Sequence, residues 1–255
     1  MSSRLIRAVI DTQALRHNLS VVRRFAPQSR VMAVVKANAY GHGLVPAVLA
    51  LAGADAFAVA RLEEGVALRN AGVRGTVILL EGVFSATQLA EAAHENFELM
   101  VHTPEQIALL NEWRGAHRFS VWLKMDSGMN RLGFRAEDFR RAYDALASSS
   151  AVARIRLLTH LANADDPEDP TTREQLARFE QVIAPVRSAS LELSIANSAA
   201  VLGWPATHAQ WVRPGLMLYG VSALKDHQGA DHGLQPAMTL YSTVIAVKNV
   251  LAGEK

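Results

Sequence analysis

Residues 31–52 read VMAVVKANAYGHGLVPAVLALA, and the change of rhythm inside this stretch decides the fold. Residues 31–36 are a β-branched apolar run that closes on a lysine, the pattern of a buried strand. Residues 44–52 read as a helix. Between them Gly41-His42-Gly43 permits a tight turn and a close approach to the backbone. Strand, turn and helix make half of a crossover unit, the connection that a parallel strand pair requires.

The same rhythm runs outward in both directions. Downstream, residues 56–60, 77–80, 98–102, 121–125, 155–160 and 193–196 read as strands. Helices are predicted over residues 62–71, 86–95, 136–147 and 172–186, with a short one after the seventh strand. A further helix opens at Thr103-Pro104, with Thr103 suited to the N-cap and Pro104 to the first helical position. Leu176, Phe179, Ile183 and Val186 form an apolar stripe that would dock on a sheet. Val212 and residues 216–219 flank an eighth strand. Eight strands separated by helical segments predict an α/β chain, a (β/α)8 TIM-type barrel. An open doubly wound sheet would alternate as well, and counting does not separate the two.

Two pieces lie outside this count. Residues 4–10 are an extended run, followed by a helix carrying Leu15, Leu19 and Val22. Residues 239–251 are rich in β-branched residues and read as the first strand of a further, non-barrel domain. The expected division is a strand over 1–11 that belongs with the C-terminal domain, a barrel over 12–235, and over 236–255 the first strand of a truncated C-terminal β domain. Residues 148–150 and 167–170 read as loops.

Composition narrows the function classes. The chain has 255 residues, half of them hydrophobic, and a formal net charge of +2. No stripe of Lys and Arg forms, which argues against nucleic acid or an anionic membrane as partner. There is no cysteine, so disulfides, thiolate catalysis and Cys-based zinc sites are excluded. No signal core and no run long enough to span a bilayer occurs, and the chain reads as cytoplasmic.

In a barrel, function collects where strands end. Lys36 ends the first strand, where desolvation would lower its pKa and suit it to imine formation; a surface lysine is the plainer reading. Arg131, between Gly128 and Gly133 after the fifth strand, could meet a carboxylate or a phenolate oxygen, or simply face solvent. His160 ends the sixth strand as a ligand, a base, a stacking surface or a core histidine. No second histidine stands at metal spacing, and no metal is expected. Ser198 follows the seventh strand and Gly215 the eighth, the loops where barrels often hold phosphate; Ser198 could equally be only a helix N-cap. A phosphate site opposite a strand-end lysine is what a phosphorylated aldehyde cofactor needs.

Together these motifs resemble the alanine racemases, barrel-type enzymes dependent on pyridoxal 5'-phosphate. Residues 34–43, VVKANAYGHG, match the family's cofactor-lysine signature, and the segments around Arg131, His160, Ser198 and Gly215 follow in the family's order. The resemblance implies that Lys36 carries the cofactor as a Schiff base and is the base on the D-alanine side. It implies that Tyr40, Ser198 and the backbone at Gly215 and Leu216 hold the phosphate, with Asn197 beside them. Arg213 would face the pyridine nitrogen, Arg131 the phenolic oxygen and the substrate carboxylate, and His160 the ring. Lys124 matches a position that is carbamylated in some members.

The implied activity is interconversion of L- and D-alanine, supplying D-alanine for peptidoglycan, in a homodimer whose active sites are shared. The second base of the family is a Tyr in the C-terminal domain, and none of Tyr40, Tyr143, Tyr219 and Tyr241 stands in its motif. This chain alone is therefore expected to racemise poorly and to expose apolar surface. Ser127 replaces a usual Thr, and Leu161 a common Phe. The alternatives are a broad-specificity amino-acid racemase or a related barrel decarboxylase or aldolase, and a non-catalytic barrel that only carries the cofactor.

Overall fold

The computed structural model of the chain describes residues 6–254. It opens on strand β1 (Arg7–Ile10), which leads into the helix Thr12–Phe25. Asp11 caps that helix, its Oδ1 accepting from the amides of Gln13 at 2.8 Å and Ala14 at 3.1 Å. Strands β2 (Arg30–Val34), β3 (Ala56–Val59), β4 (Thr76–Leu79), β5 (Glu98–Val101), β6 (Phe119–Lys124), β7 (Val152–Leu158), β8 (Leu193–Ser194) and β9 (Trp211–Val212) follow. They pair in parallel in chain order, and β9 pairs back onto β2. The ring is closed, which excludes the open sheet.

The barrel strands, apart from exposed Ala153 and Arg154 at the start of β7, are buried on both faces because the barrel interior takes one set of side chains and the helices take the other. Val31, Ala33 and Val35 pack outward against the helices, with Phe57, Val59, Val77, Leu79, Val121 and Leu123. Met32, Val34, Ala56, Ala58, Ile78, Met100, Trp122, Leu158 and Trp211 form a separate apolar cluster inside the ring. Side chains alternate along a strand. Continuing the inward set by two residues past Val34, Trp122, Leu158 and Trp211 reaches Lys36, Lys124, His160 and Arg213. Four of the residues singled out in the sequence thus share the mouth of the barrel by parity alone.

The inward positions at the other end carry a second polar group. Arg156 donates from Nη1 to both oxygens of Glu98 at 2.9 Å and from Nε to Glu192 at 2.5 Å. Trp122 Nε1 donates to Glu98 at 2.7 Å and Trp211 Nε1 to Glu192 at 3.2 Å. Arg30 also pairs with Glu192. This network is the barrel floor.

The helices match expectation closely, with Leu62–Asn70, Ala86–His94, Pro104–Glu112 and Ala136–Ala147 among them. In Thr171–Ile183 Phe179 and Ile183 are buried and Leu176 packs against the core; Val186 lies in the 3-10 turn Ala184–Val186 that follows. Three expectations need correction. The eighth strand is Trp211–Val212, and the apolar run Leu216–Tyr219 is a 3-10 turn. Ser198 Oγ accepts from the amide of Gly215 at 2.8 Å and of Met217 at 3.3 Å, which bends that run out of any extended form. Lys36 lies beyond the end of β2, in a turn rather than in the strand. The third is the strand expected over 239–251: only β10 (Met238–Tyr241) forms, paired antiparallel with β1 from Arg7↔Tyr241 to Ile10↔Met238. Past Tyr241 the chain has no strand neighbour among the described residues, and Val244, Ile245 and Val247 are exposed. Of the expected extended run 4–10, Arg4 and Leu5 lie outside the described residues. Among the described residues no helix is long and apolar enough to cross a membrane.

Candidate active site

The mouth of the barrel holds a cavity of about 700 Å³. Lys36, Tyr40, Lys124, Arg131, His160, Asn197, Ser198, Arg213, Gly215 and Leu216 all line it. Every residue singled out in the sequence therefore meets in one place, drawn from the ends of β2, β6, β7, β8 and β9 and the loops that follow them.

Lys36 opens an unusual turn. Ala37, Asn38, Ala39 and Tyr40 have φ between 53° and 54°, a full turn in the left-handed region. Such a conformation costs roughly 1–2 kcal/mol for each residue bearing a Cβ. Several bonds hold it. Asn38 Oδ1 accepts from the Leu44 amide at 2.8 Å. The amide of Ala37 donates to Glu64 Oε1 at 2.6 Å. The Tyr40 ring packs on Tyr219 with centroids 4.9 Å apart, and His42 packs on the same tyrosine at 4.5 Å. Tyr219 is tied to the lysine strand by its hydroxyl, which donates to the Val34 carbonyl at 3.2 Å. Burial raises the phenol of Tyr40, so it remains a hydrogen-bond donor at neutral pH.

Gly215 faces the tip of Tyr40. A Cβ on it would lie 2.6 Å from the Tyr40 hydroxyl, so only glycine allows the phenol to approach this loop. Asn197, not Ser198, caps the helix Ser198–Gly203, accepting from the Ala200 amide at 3.0 Å. The Ser198 hydroxyl is left to join this helix to the Gly215 loop.

Arg213 is buried and donates to Ser194 Oγ at 2.7 Å, the Thr159 carbonyl at 2.6 Å and the Ile195 carbonyl at 3.2 Å. Burial lowers its guanidinium to about 9, which still leaves it charged at neutral pH. His160 Nδ1 lies 3.4 Å from Arg213 Nη2. Burial first, then the cations Arg213, Lys124, Arg131 and Lys36, depress the imidazole to about 2, so His160 is neutral. Lys124 is buried; desolvation, followed by Arg213 and Arg131, lowers its amine to about 7 against a partial counterweight from Asp126. Its amine is therefore driven toward the uncharged form.

The loop bearing Arg131 is shaped by Asp126, whose Oδ1 accepts from the amides of Gly128 and Asn130 at 3.0 Å. Gly133, at φ 120°, lies so near the backbone of Asp126 that a Cβ would fall 2.7 Å from its nitrogen. Two supports are not evident from the sequence. Gln175 Nε2 donates to Ser127 Oγ at 3.3 Å and the His160 carbonyl at 3.2 Å, joining the two loops. Ser194 seats Arg213. Both are buried polar residues, but nothing in a buried Gln or Ser marks its partner in the sequence.

Five basic side chains, Lys36, Lys124, Arg131, Arg213 and Lys225, line this one cavity; Glu81 and Asp165 are the acidic residues that line it. Lys225 is already paired with Asp166 at 2.7 Å. Such an imbalance suits an anionic ligand. A cofactor bearing phosphate and phenolate, with an amino-acid carboxylate beside it, fits the charge, and the Gly215 loop offers the close backbone approach that a phosphate requires.

Comparison with known proteins points the same way. The family model described as "Alanine racemase, N-terminal domain" matches residues 10–223. An alanine racemase of Aeromonas hydrophila subsp. hydrophila is 48% identical over 248 residues, covering 97% of this chain and 69% of that protein. The biosynthetic alanine racemase from Pseudomonas aeruginosa superposes with TM-score 0.88 at 42% identity, over 93% of this chain and 66% of its own. The alanine racemase from Acinetobacter baumannii gives TM-score 0.91 at 37% identity, over 98% and 70%. The chain thus spans about two thirds of the length of these relatives.

Proposed function

Because this chain belongs to the alanine racemase family, we propose that its barrel binds pyridoxal 5'-phosphate on Lys36 and serves the interconversion of L- and D-alanine. The observation that carries this reading is the convergence of Lys36, Arg131, His160 and Arg213 on one cavity whose wall is the Ser198–Gly215 contact.

The residues divide the work by charge. Tyr40, Ser198 and the backbone of Gly215 and Leu216 would hold the phosphate, with Asn197 fixing the helix beside them. A guanidinium that stays charged can only donate, so Arg213 would leave a ring nitrogen facing it unprotonated. Arg131 would bind the phenolic oxygen and the substrate carboxylate through its planar donors. Neutral His160 offers the ring a flat, uncharged surface. When bound, the cofactor supplies an electron sink that makes the substrate Cα–H acidic. Lys36 Nζ then takes and returns the proton on one face of Cα.

Racemisation needs a second proton carrier on the opposite face. Of the four tyrosines only Tyr40 lines the cavity. Tyr40 is committed to the phosphate in this reading. We therefore assign the second carrier to a tyrosine of a C-terminal domain that completes the site, and the β1–β10 ribbon to that same domain. Val9 and Tyr241 on one face of the ribbon and Leu240 on the other are exposed, which supports burial against further protein. The working form in this reading is a cytoplasmic homodimer supplying D-alanine to peptidoglycan.

Lys124 fits a carbamylation position. Its uncharged amine can attack carbon dioxide, forming the N–C bond and releasing one proton. The carbamate replaces a cation with an anion beside Arg131, which would orient that guanidinium.

Borohydride reduction after incubation with pyridoxal phosphate, followed by peptide mass mapping, tests the assignment. The expected result is an adduct on the peptide containing Lys36 and none in Lys36→Ala. An adduct on another lysine would overturn it.

A further inference from the structure

We infer that Glu64 holds the lysine turn in its left-handed form and is thereby a positioning residue for Lys36, an inference that rests on Lys36 being the cofactor lysine. Glu64 is the third residue of the helix Leu62–Asn70. Its Oε1 accepts from the Ala37 amide at 2.6 Å and its Oε2 from the Ala60 amide at 2.8 Å. One carboxylate thus ties the residue after Lys36 to the residue after β3, and both chain segments line the cavity through Lys36 and Ala60.

Ala37 is the residue on which this effect depends. It is the first of four residues with positive φ, and it carries a Cβ. A side-chain acceptor aimed at its amide favours the orientation in which that N–H points back toward the helix. The far end of the turn has other supports, Asn38 on the Leu44 amide and Tyr40 on Tyr219. At the near end the side-chain partner is Glu64. Release of Ala37 would let the turn relax toward right-handed backbone, rotating Lys36 and Tyr40 away from their common cavity.

Glu64 also reaches the amide of Arg61, the N-cap residue of its own helix, at a longer 3.4 Å. A role confined to capping and a role in holding the turn differ in one respect. Capping is indifferent to the residue at position 37. Holding the turn becomes unnecessary when that residue is glycine, which enters the left-handed region without penalty.

The test compares the full chain with Glu64→Gln, Ala37→Gly and the double variant. Glutamine keeps the shape but turns an N–H pair toward one of the two amides. Affinity of the apoprotein for pyridoxal phosphate is read from visible absorbance, and amide exchange is followed over residues 36–41. Glu64→Gln should bind about tenfold more weakly, the loss of one charge-assisted hydrogen bond. Its exchange over 36–41 should be about tenfold faster, with the rest of the barrel unchanged. The double variant should recover to within about twofold of Ala37→Gly alone. Wild-type affinity and exchange in Glu64→Gln, or a double variant as weak as Glu64→Gln, would overturn the inference and leave Glu64 a helix cap. If borohydride leaves Lys36 of the wild-type chain unmodified, the cofactor assignment is what fails, and the inference about Lys36 is overturned with it.

Discussion

At the floor of the barrel Arg156 meets Glu98 and Glu192, whereas at the mouth, further along the same interior, Lys124, His160 and Arg213 meet one another. Both groups sit on inward strand positions and both are largely removed from water. The floor pairs each buried charge with its opposite and satisfies the remaining acceptor positions with indole N–H groups. Burial alone would raise the Glu192 carboxyl, but hydrogen bonds from Arg156, Trp211 and Arg30 overcome it and hold the group at about 2. At the mouth burial and like charge act together, and Lys124 and His160 are both driven toward their neutral forms. The floor is electrostatically complete. The mouth carries an excess of cations that an anionic ligand would balance in the proposed reading, and that is the physical difference between a structural polar cluster and a binding site.

Removing one cation from each end should have opposite effects on stability. Arg156→Met leaves Glu98 without a cationic partner and Glu192 with Arg30 alone, and should destabilise the chain by about 3 kcal/mol in urea unfolding. Its affinity for pyridoxal phosphate, measured on the folded fraction, should be nearly unchanged. Lys124→Met should do the reverse. It removes a desolvated amine held beside two guanidinium groups, so stability should rise by about 1–2 kcal/mol. A loss of stability in Lys124→Met would mean that the mouth is also internally compensated.

The two ends should also separate in pH. Glu192 has a depressed folded-state pKa, so its stabilisation is full above the unfolded carboxylate range and is lost as pH falls through 4.5 toward about 2. Lys124 is depressed as well, from 10.5 to about 7. Between these values the unfolded chain binds the extra proton, so stability should rise with pH from about 7 to 10.5. Equilibrium unfolding across both windows checks this, and Lys124→Met should flatten only the upper one. The smallest expected effect is Tyr219→Phe. It removes the bond to the Val34 carbonyl while keeping the ring stack on Tyr40, and should cost about 1 kcal/mol or less in thermal unfolding.

Much of this architecture is legible in the residues themselves. The alternation of both-face-apolar strands with amphipathic helices marks the barrel, and the polar residues at the strand ends mark the site. Lys36 and His160 stand out that way without knowledge of which strands are neighbours, whereas Arg213 is legible only through the family resemblance. The eighth strand is displaced from its expected place because its two paired residues carry less periodic signal than the apolar run Leu216–Tyr219 beside it. Residues 242–251 have strand composition but no strand partner among the described residues, and a strand is a property of two segments. The left-handed turn has no local signature because Ala37-Asn38-Ala39-Tyr40 contains no glycine, and because its support, Glu64, lies on the next helix.

Sequence alone determined what repeats locally: the period of burial and the face on which each side chain falls. These follow from backbone geometry and the avoidance of water, and each needs only a few consecutive residues. Tertiary structure alone decided closure, and with it which charges become neighbours. Glu98, Arg156 and Glu192 are distant in the chain, as are Lys124 and Arg213, and only the ring turns one set into a salt-bridged floor and the other into a cationic mouth. Coulomb energy depends on separation and local dielectric, and neither quantity exists until the barrel has closed.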